Sequence, residues 1–427
     1  MSRRRFVLLA CCAAAITFLL LRPANWPTTA IAYYGKSSGP LLTEALNSTL
    51  GKILVINLPS RTDRRDAMTL AAALTGLQVG WINGRDGKDL DDRVLPADSR
   101  NRSILVGNKG SWRAHMDALQ MHVSNDLCCL VIHENLTSAL ILEDDADWDI
   151  RLGRQMQDLT RLTQAYIQPL QANPQRTNIE ISREIEPRVF DPAINEIPGT
   201  VSPATSPFGD GWDVLWLGHC GTEFPAPSAV PRDGDKVGPG LPLLRVVRYL
   251  DETVPMRKHL KPHPLALEDQ LASAYPDHTR VVHASNGTIC TIGYAVSQQG
   301  ARKLLWQFGL ETFTTGWDLM LRDWCNHGYE NRFYADGDAQ EKAGRGRERA
   351  AIGNAPVCLT VQPPLFSHHF GKSGGSDITA PGGGFISKGR ESTPYIRLSV
   401  RLNMGRLVRG SGVEDLVDQW PDETAQL

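Results

Sequence analysis

Ala139 to Leu142 form an apolar run of strand length, followed at once by Glu143, Asp144, Asp145 and Asp147. A short, unbroken apolar run of this kind has the character of a central parallel strand, buried on both faces, and it confines the chain to an α/β class. In open α/β sheets ligands gather beyond the carboxyl ends of the strands. Carboxylates crowded there repel one another unless a cation neutralises them. A hard divalent ion takes oxygen ligands, so Glu143, Asp145 and Asp147 are candidates to hold Mn²⁺ or Mg²⁺ against the two phosphates of a nucleotide. A solvated acidic turn is the competing reading.

Upstream, Lys52 to Leu58 reads as a second buried strand, and the stretch from Ser60 onward reads as a helix with Ser60 as its N-cap. The loop between them carries Asn57, Arg61, Asp63, Arg64 and Arg65, beside a helix start that favours anions. A second loop-to-helix junction is expected at 107–123, with Gly107 and Gly110 ahead of Trp112, His115 and Met116. The formal net charge of -2 over 427 residues gives no electrostatic reason to expect a nucleic-acid partner.

Arg3, Arg4 and Arg5 precede an apolar run that ends at Arg22. This is a secretory-pathway signal, either a cleaved signal or a signal anchor. As an anchor it predicts a cytoplasmic tail (1–5), a membrane segment (6–22) and a stem (23–50) ahead of a luminal domain at 51–410 and a C-terminal tail at 411–427. That is a single-pass type II protein of the Golgi or endoplasmic reticulum membrane, or a secreted one if the segment is cleaved. Sequons at Asn47, Asn101, Asn135 and Asn286 agree with that compartment. Of the eight cysteines, the six beyond the apolar run lack C-x-x-C spacing and allow disulfides in 15 connectivities.

Three segments, "INLPSRTDRR", "GNKGSWRAH" and "LILEDDADWD", resemble in order and spacing the blocks of glycosyltransferase family 25, which includes lipopolysaccharide-biosynthesis and procollagen galactosyltransferases. "WDVLWLG" and "GYAVSQQGARKLL" look like its next two blocks, so the resemblance is scattered across residues 52–370. Ser111 and Ala114 stand where the family has cysteine and serine. The resemblance implies a GT-A type nucleotide-sugar-binding domain with a central, mostly parallel sheet. It implies a UDP-sugar donor bound near Asn57, Arg61, Arg64, Gly107, Gly110, His115 and Asp144, and transfer of a hexose, galactose by family precedent, to a glycan or glycoprotein hydroxyl with inversion.

Inversion requires a base, and Asp318 in "TTGWDLMLRDWC" is the first candidate, with an N-cap role as its structural alternative. Glu268 and Asp269 are weaker candidates. His368 and His369 could complete a metal shell, with Lys372 and Ser373 near phosphate. The Pro-rich stretch 168–211, and the stretches 225–242 and 337–353, read as loops inserted between sheet elements. Asp145→Asn is expected to relieve repulsion without loss of heat stability. Two other classes stay open: a glycosyltransferase-like protein that binds without turnover, and an unrelated secreted calcium-dependent module, which would lack the usual D-x-D-x-D-G spacing.

Overall fold

The run KILVIN forms β1 (Lys52–Asn57), whose Ile53, Leu54 and Val55 are fully enclosed. The helix that follows, α1 (Thr62–Thr75), places Arg61 rather than Ser60 at its N-cap position, with no side chain capping it. Gly76 closes it in the left-handed conformation, at φ 72°. After β2 (Val79–Asn83) comes α2 (Val106–Val123), so Gly107 and Gly110 lie inside the helix and not in a loop before it. Gly110 is required by packing: a Cβ there would stand 2.6 Å from the Arg85 carbonyl oxygen. Trp112, His115, Met116 and Leu119, spaced three and four apart, form the buried stripe of α2, which is why a histidine enters the core.

The acidic turn separates β3 (Ser138–Glu143) from β4 (Ala146–Trp148), and α3 (Leu152–Ile167) follows. The stretch expected as loop contains a small hairpin, β5 (Pro169–Leu170) with β6 (Asn173–Thr177), and an edge strand, β7 (Val189–Phe190). Then come β8 (Val214–Gly218), β9 (Arg245–Arg248), α4 (Gln270–Ala274), β10 (Arg280–Ala284), β11 (Gly293–Ser297) and α5 (Gln298–Leu304), which runs on as a π-helical segment to Glu311. The chain ends with α6 (Trp317–Cys325), β12 (Cys358–Gln362), β13 (Phe366–His368) and α7 (Val400–Val408).

These elements belong to a computed structural model that describes residues 51–96, 99, 103–123, 137–177, 189–190, 199–226, 241–326, 355–371 and 391–422. The tail, anchor and stem expected over 1–50 lie outside them, as do Asn47, Asn101, Asn135, Lys372, Ser373 and most of the stretches at 225–242 and 337–353. Among the described residues no helix is long and apolar enough to cross a membrane.

The fold is mixed α/β around one large sheet ordered β2-β1-β3-β11-β8-β12-β10-β9-β7, with β13 beside β8 and β4 beside β13. Most strands point one way; β4, β10 and β11 run against the rest. Ala139 to Leu142 are fully buried between β1 and β11, the central position their apolarity demands. One face of the sheet is covered by α2, α5 and α6, where Trp112, Met116, Trp216, Tyr294, Phe308 and Trp317 pack together. Each such side chain contributes roughly 1.5–3 kcal/mol by leaving water. The segment expected as a C-terminal tail joins the domain as far as residue 422: Arg397 pairs with Asp418 and Asp422, and Asn403 bonds the backbone of Val417.

Two disulfides, Cys220–Cys290 and Cys325–Cys358, join the β8 end to the approach to β11 and α6 to β12. Glycine matters where these strands converge. A Cβ on Gly218 would lie 2.7 Å from the Gly293 nitrogen, so only glycine lets β8 and β11 close on β13.

Candidate active site

The parallel register sets Ile56 of β1 beside Glu143 of β3, so the residues just beyond, Asn57 and Asp144, meet at the carboxyl edge. Asn57 Nδ2 donates to Asp144 Oδ2 at 2.7 Å. From the first turn of α1, Arg64 reaches the same edge and donates to Asp144 Oδ1 at 2.7 Å and Asp145 Oδ2 at 2.9 Å. Antiparallel pairing of β13 with β4 sets His368 opposite Ala146, which brings its Nε2 to 3.1 Å from Asp145 Oδ2. Residues separated by some 300 positions thus form one cluster: Asn57, Arg64, Glu143, Asp144, Asp145 and His368.

The electrostatics differ among the three acids. His368 and Arg64 hold the Asp145 carboxyl well below the usual range despite its burial, and Asp145 raises His368 in turn. This reverses the expectation that Asp145→Asn relieves repulsion, because the amide would strand two cations. Burial and the Asp145 charge push Asp144 up, against the pull of Arg64 and Asn57. Glu143 is pushed up to about 8 by burial and by Asp145, with Asp318 adding to the rise. One oxygen of each of two site residues is enclosed without a partner: Asp145 Oδ1 and Asn57 Oδ1.

Asp147 does not join them. It is fully buried and accepts from Thr393 Oγ1 at 2.6 Å, from Ser399 Oγ and from the backbone N–H of Trp148 and Arg401. With its lone pairs taken by four protein donors, Asp147 is a structural anchor and not a metal ligand. His369 likewise turns toward Thr393, at 3.2 Å.

His115 lies behind Glu143, its Nε2 4.0 Å from Glu143 Oε1 and its Nδ1 3.0 Å from the Tyr294 hydroxyl. Its ring stacks on Trp317 at 4.8 Å, and burial lowers it to about 3, so it is neutral. Asp318 sits in the first turn of α6, where Gly316 holds the N-cap position, and its Oδ2 accepts from the Cys290 N–H at 3.0 Å. The N-cap alternative therefore fails for Asp318. It holds for Asp269, which caps α4 through Ala272 N–H, while Glu268 is exposed. Arg61 faces outward and pairs with Asp63. Gly107 lies in the first turn of α2, and Gly110 packs against the Arg85–Gly87 turn. At Asn286 the sequon is partly enclosed: its Nδ2 donates to the Phe224 carbonyl and the Thr288 side chain is buried.

Sequence reasoning missed Arg401 and Thr291. Arg401, from α7, donates to the carbonyl oxygens of Ala146 at 2.9 Å and Asp144 at 2.7 Å and so fixes the acidic turn from beneath. Nothing local marks it. Thr291 donates to Glu143 Oε1 at 2.8 Å, and its place two residues before β11 is the signal that an antiparallel pairing with β3 would have exposed.

Among the described residues no group of three or more His, Cys, Asp or Glu is arranged as a metal site. No protein-family model matches the chain, and a search of curated proteins finds no match.

Proposed function

We propose that this chain is a metal-dependent glycosyltransferase of GT-A type, similar to glycosyltransferase family 25, that moves a hexose from a UDP-sugar to a glycan or glycoprotein hydroxyl with inversion. The observation that carries the reading is the cluster at the carboxyl edge of β1 and β3, where Asp145 keeps a buried oxygen without a partner. An acid in that state suits a cation ligand, since an unpaired buried oxygen is costly. Glu143, Asp145 and His368 would supply the oxygen and nitrogen donors for Mn²⁺ or Mg²⁺ after rearranging, because as they stand they do not form a ready metal site and His368 faces Asp145 instead. Asp147 drops out of the set. The bound ion would neutralise charge developing on the departing diphosphate.

The remaining roles fall to the chain. Arg64 fixes Asp144 and Asp145 against Asn57, and its charge favours phosphate beside the helix start. Asp318, with one oxygen held by Cys290 N–H, is the base that takes the acceptor's proton. Arg61, paired with Asp63 at the same helix start, is the further cation this reading offers to the donor's phosphates. The two disulfides and the arginine-flanked apolar run support a luminal site behind a membrane anchor.

A second reading has one specific observation in its favour. Arg64 and His368 already pair with Asp145, so this acid is compensated by the chain itself, as a binding protein without turnover would need. Incubating the full-length protein with Mn²⁺ and a panel of UDP-sugars, with and without glycan acceptors, separates the two. Release of UDP supports the enzyme; heat stabilisation by Mn²⁺ and UDP with no release supports the binding protein; neither response removes both.

A further inference from the structure

Three consecutive residues, Cys290, Thr291 and Ile292, each bind a different part of the acidic site. The Cys290 N–H donates to Asp318 Oδ2 at 3.0 Å, the Thr291 hydroxyl donates to Glu143 Oε1 at 2.8 Å, and the Ile292 carbonyl accepts from the Glu143 N–H at 3.1 Å. The segment itself is held from three directions. Cys290 is tied to Cys220, its carbonyl accepts from Trp216 Nε1 at 2.8 Å, and Ile289 bridges Gly221. Cys290 also takes a left-handed φ of 63°, which turns its N–H toward α6 while the next side chain faces β3. A β-carbon at that φ is disfavoured, and the surrounding bonds over-determine it.

We infer that residues 290–292 act as a clamp that sets the positions of Glu143 and Asp318 together, with Thr291 as the positioning residue for Glu143. With Oε1 engaged by Thr291, and His115 behind that same oxygen, Oε2 is the atom left to face a ligand. The Glu143 side chain is 26% exposed, so the carboxyl is not sealed from solvent. Spacing between a ligand carboxylate and a base decides whether a bound hydroxyl meets the base in line, and an error of about 1 Å can cost on the order of a hundredfold in rate. The role assigned to Glu143 rests on the glycosyltransferase reading; the clamp as a holder of two carboxylates does not.

Thr291→Val keeps the shape of the side chain and removes the donor, and Thr291→Ser restores the donor. In the full-length protein, Mn²⁺ affinity is read by electron paramagnetic resonance without substrate, and the reactivity of Glu143 toward carbodiimide is read by peptide mapping. The valine variant is expected to bind Mn²⁺ roughly tenfold more weakly, with Glu143 labelled several-fold differently from wild type and other carboxyls unchanged. The serine variant should recover both. Unchanged Glu143 labelling in the valine variant overturns the clamp, and equal damage from valine and serine overturns it as mere packing. Should wild type bind no Mn²⁺, the metal reading fails while the labelling comparison still decides the clamp.

Discussion

Two buried charged regions of this molecule are built on opposite terms. At the N-terminal end of β10, Arg280 donates to Asp251 Oδ2 at 2.7 Å, to the Pro363 carbonyl at 2.7 Å and to Thr253 Oγ1 at 3.0 Å, and Asp251 also accepts from Thr253 N–H and hydroxyl. One acid meets one base, and Asp251 is held below its usual range by Arg280 despite burial. At the edge of β1 and β3, three acids meet Arg64 and His368, Glu143 is forced toward its neutral form, and two buried oxygens go unpaired. The first region spends its polar groups on one another. The second withholds some, and buried polar groups left unpaired are where a ligand's contribution is to be sought.

The sharpest way to break this comparison is to remove one partner from the satisfied region. Arg280→Met leaves Asp251 buried and uncompensated, and should cost roughly 3–5 kcal/mol of stability in urea denaturation, with activity per folded molecule retained. A variant of near wild-type stability would mean the pair is solvated and the contrast false. Glu143→Gln should do the opposite. The carboxyl already keeps its proton to about pH 8, so the amide replaces a neutral group, and the melting temperature of the metal-free protein should stay within about 2 °C of wild type. UDP release should nevertheless fall about a hundredfold, or about 3 kcal/mol, because an amide has no proton to give up to the metal and cannot become its anionic ligand.

Asp147→Asn tests the boundary between the regions, because sequence places Asp147 with the site and its four donors place it with the structural group. A loss of roughly 1–3 kcal/mol in stability is expected, with turnover changed by less than threefold. A loss of turnover at unchanged stability would return Asp147 to the site.

The smallest effect concerns acid. His219 and His283 are enclosed on the β8 and β10 side of the sheet, and burial lowers them to about 4 and about 3. Below their ordinary value of 6.5 the unfolded chain takes up protons that the folded chain refuses. Stability is therefore fully present above pH 6.5 and declines as pH falls toward 4. His283→Asn, which keeps a donor for the Ala284 carbonyl, should flatten that decline in melting temperature, whereas Glu143→Gln should steepen it, because a carboxyl held at about 8 binds a proton that the unfolded chain does not and so offsets part of the histidine loss. Parallel declines in His283→Asn and wild type would show that this histidine is not the cause.

What sequence made legible follows from range. β1 and β3 were readable because an unbroken apolar run needs no partner to declare itself, and their shared carboxyl edge followed from parallel pairing. Glu143, Asp144, Asn57 and Arg64 meet there as the motif order suggests. Asp147 was misread because its surroundings come from Thr393, Ser399 and Arg401, about 250 positions away, and no local pattern announces that closure. Ser60 was misread for a nearer reason: a good capping residue loses its place when the strand ends at Asn57 and the chain needs the turn from Leu58 to Arg61 to enter the helix. Thr291 needed the antiparallel insertion of β11 between β3 and β8, which apolarity alone does not specify.

Arg401 carries a last consequence. The acidic turn is written early in the chain, yet the guanidinium that pins its carbonyls and the hydroxyls that seat Asp147 all arrive after residue 392. During synthesis, domains begin to order from the amino end while the rest is still on the ribosome. A nascent chain stopped short of α7 would carry every acid of the cluster and lack what seats it, so the turn is held in place only once α7 has been made.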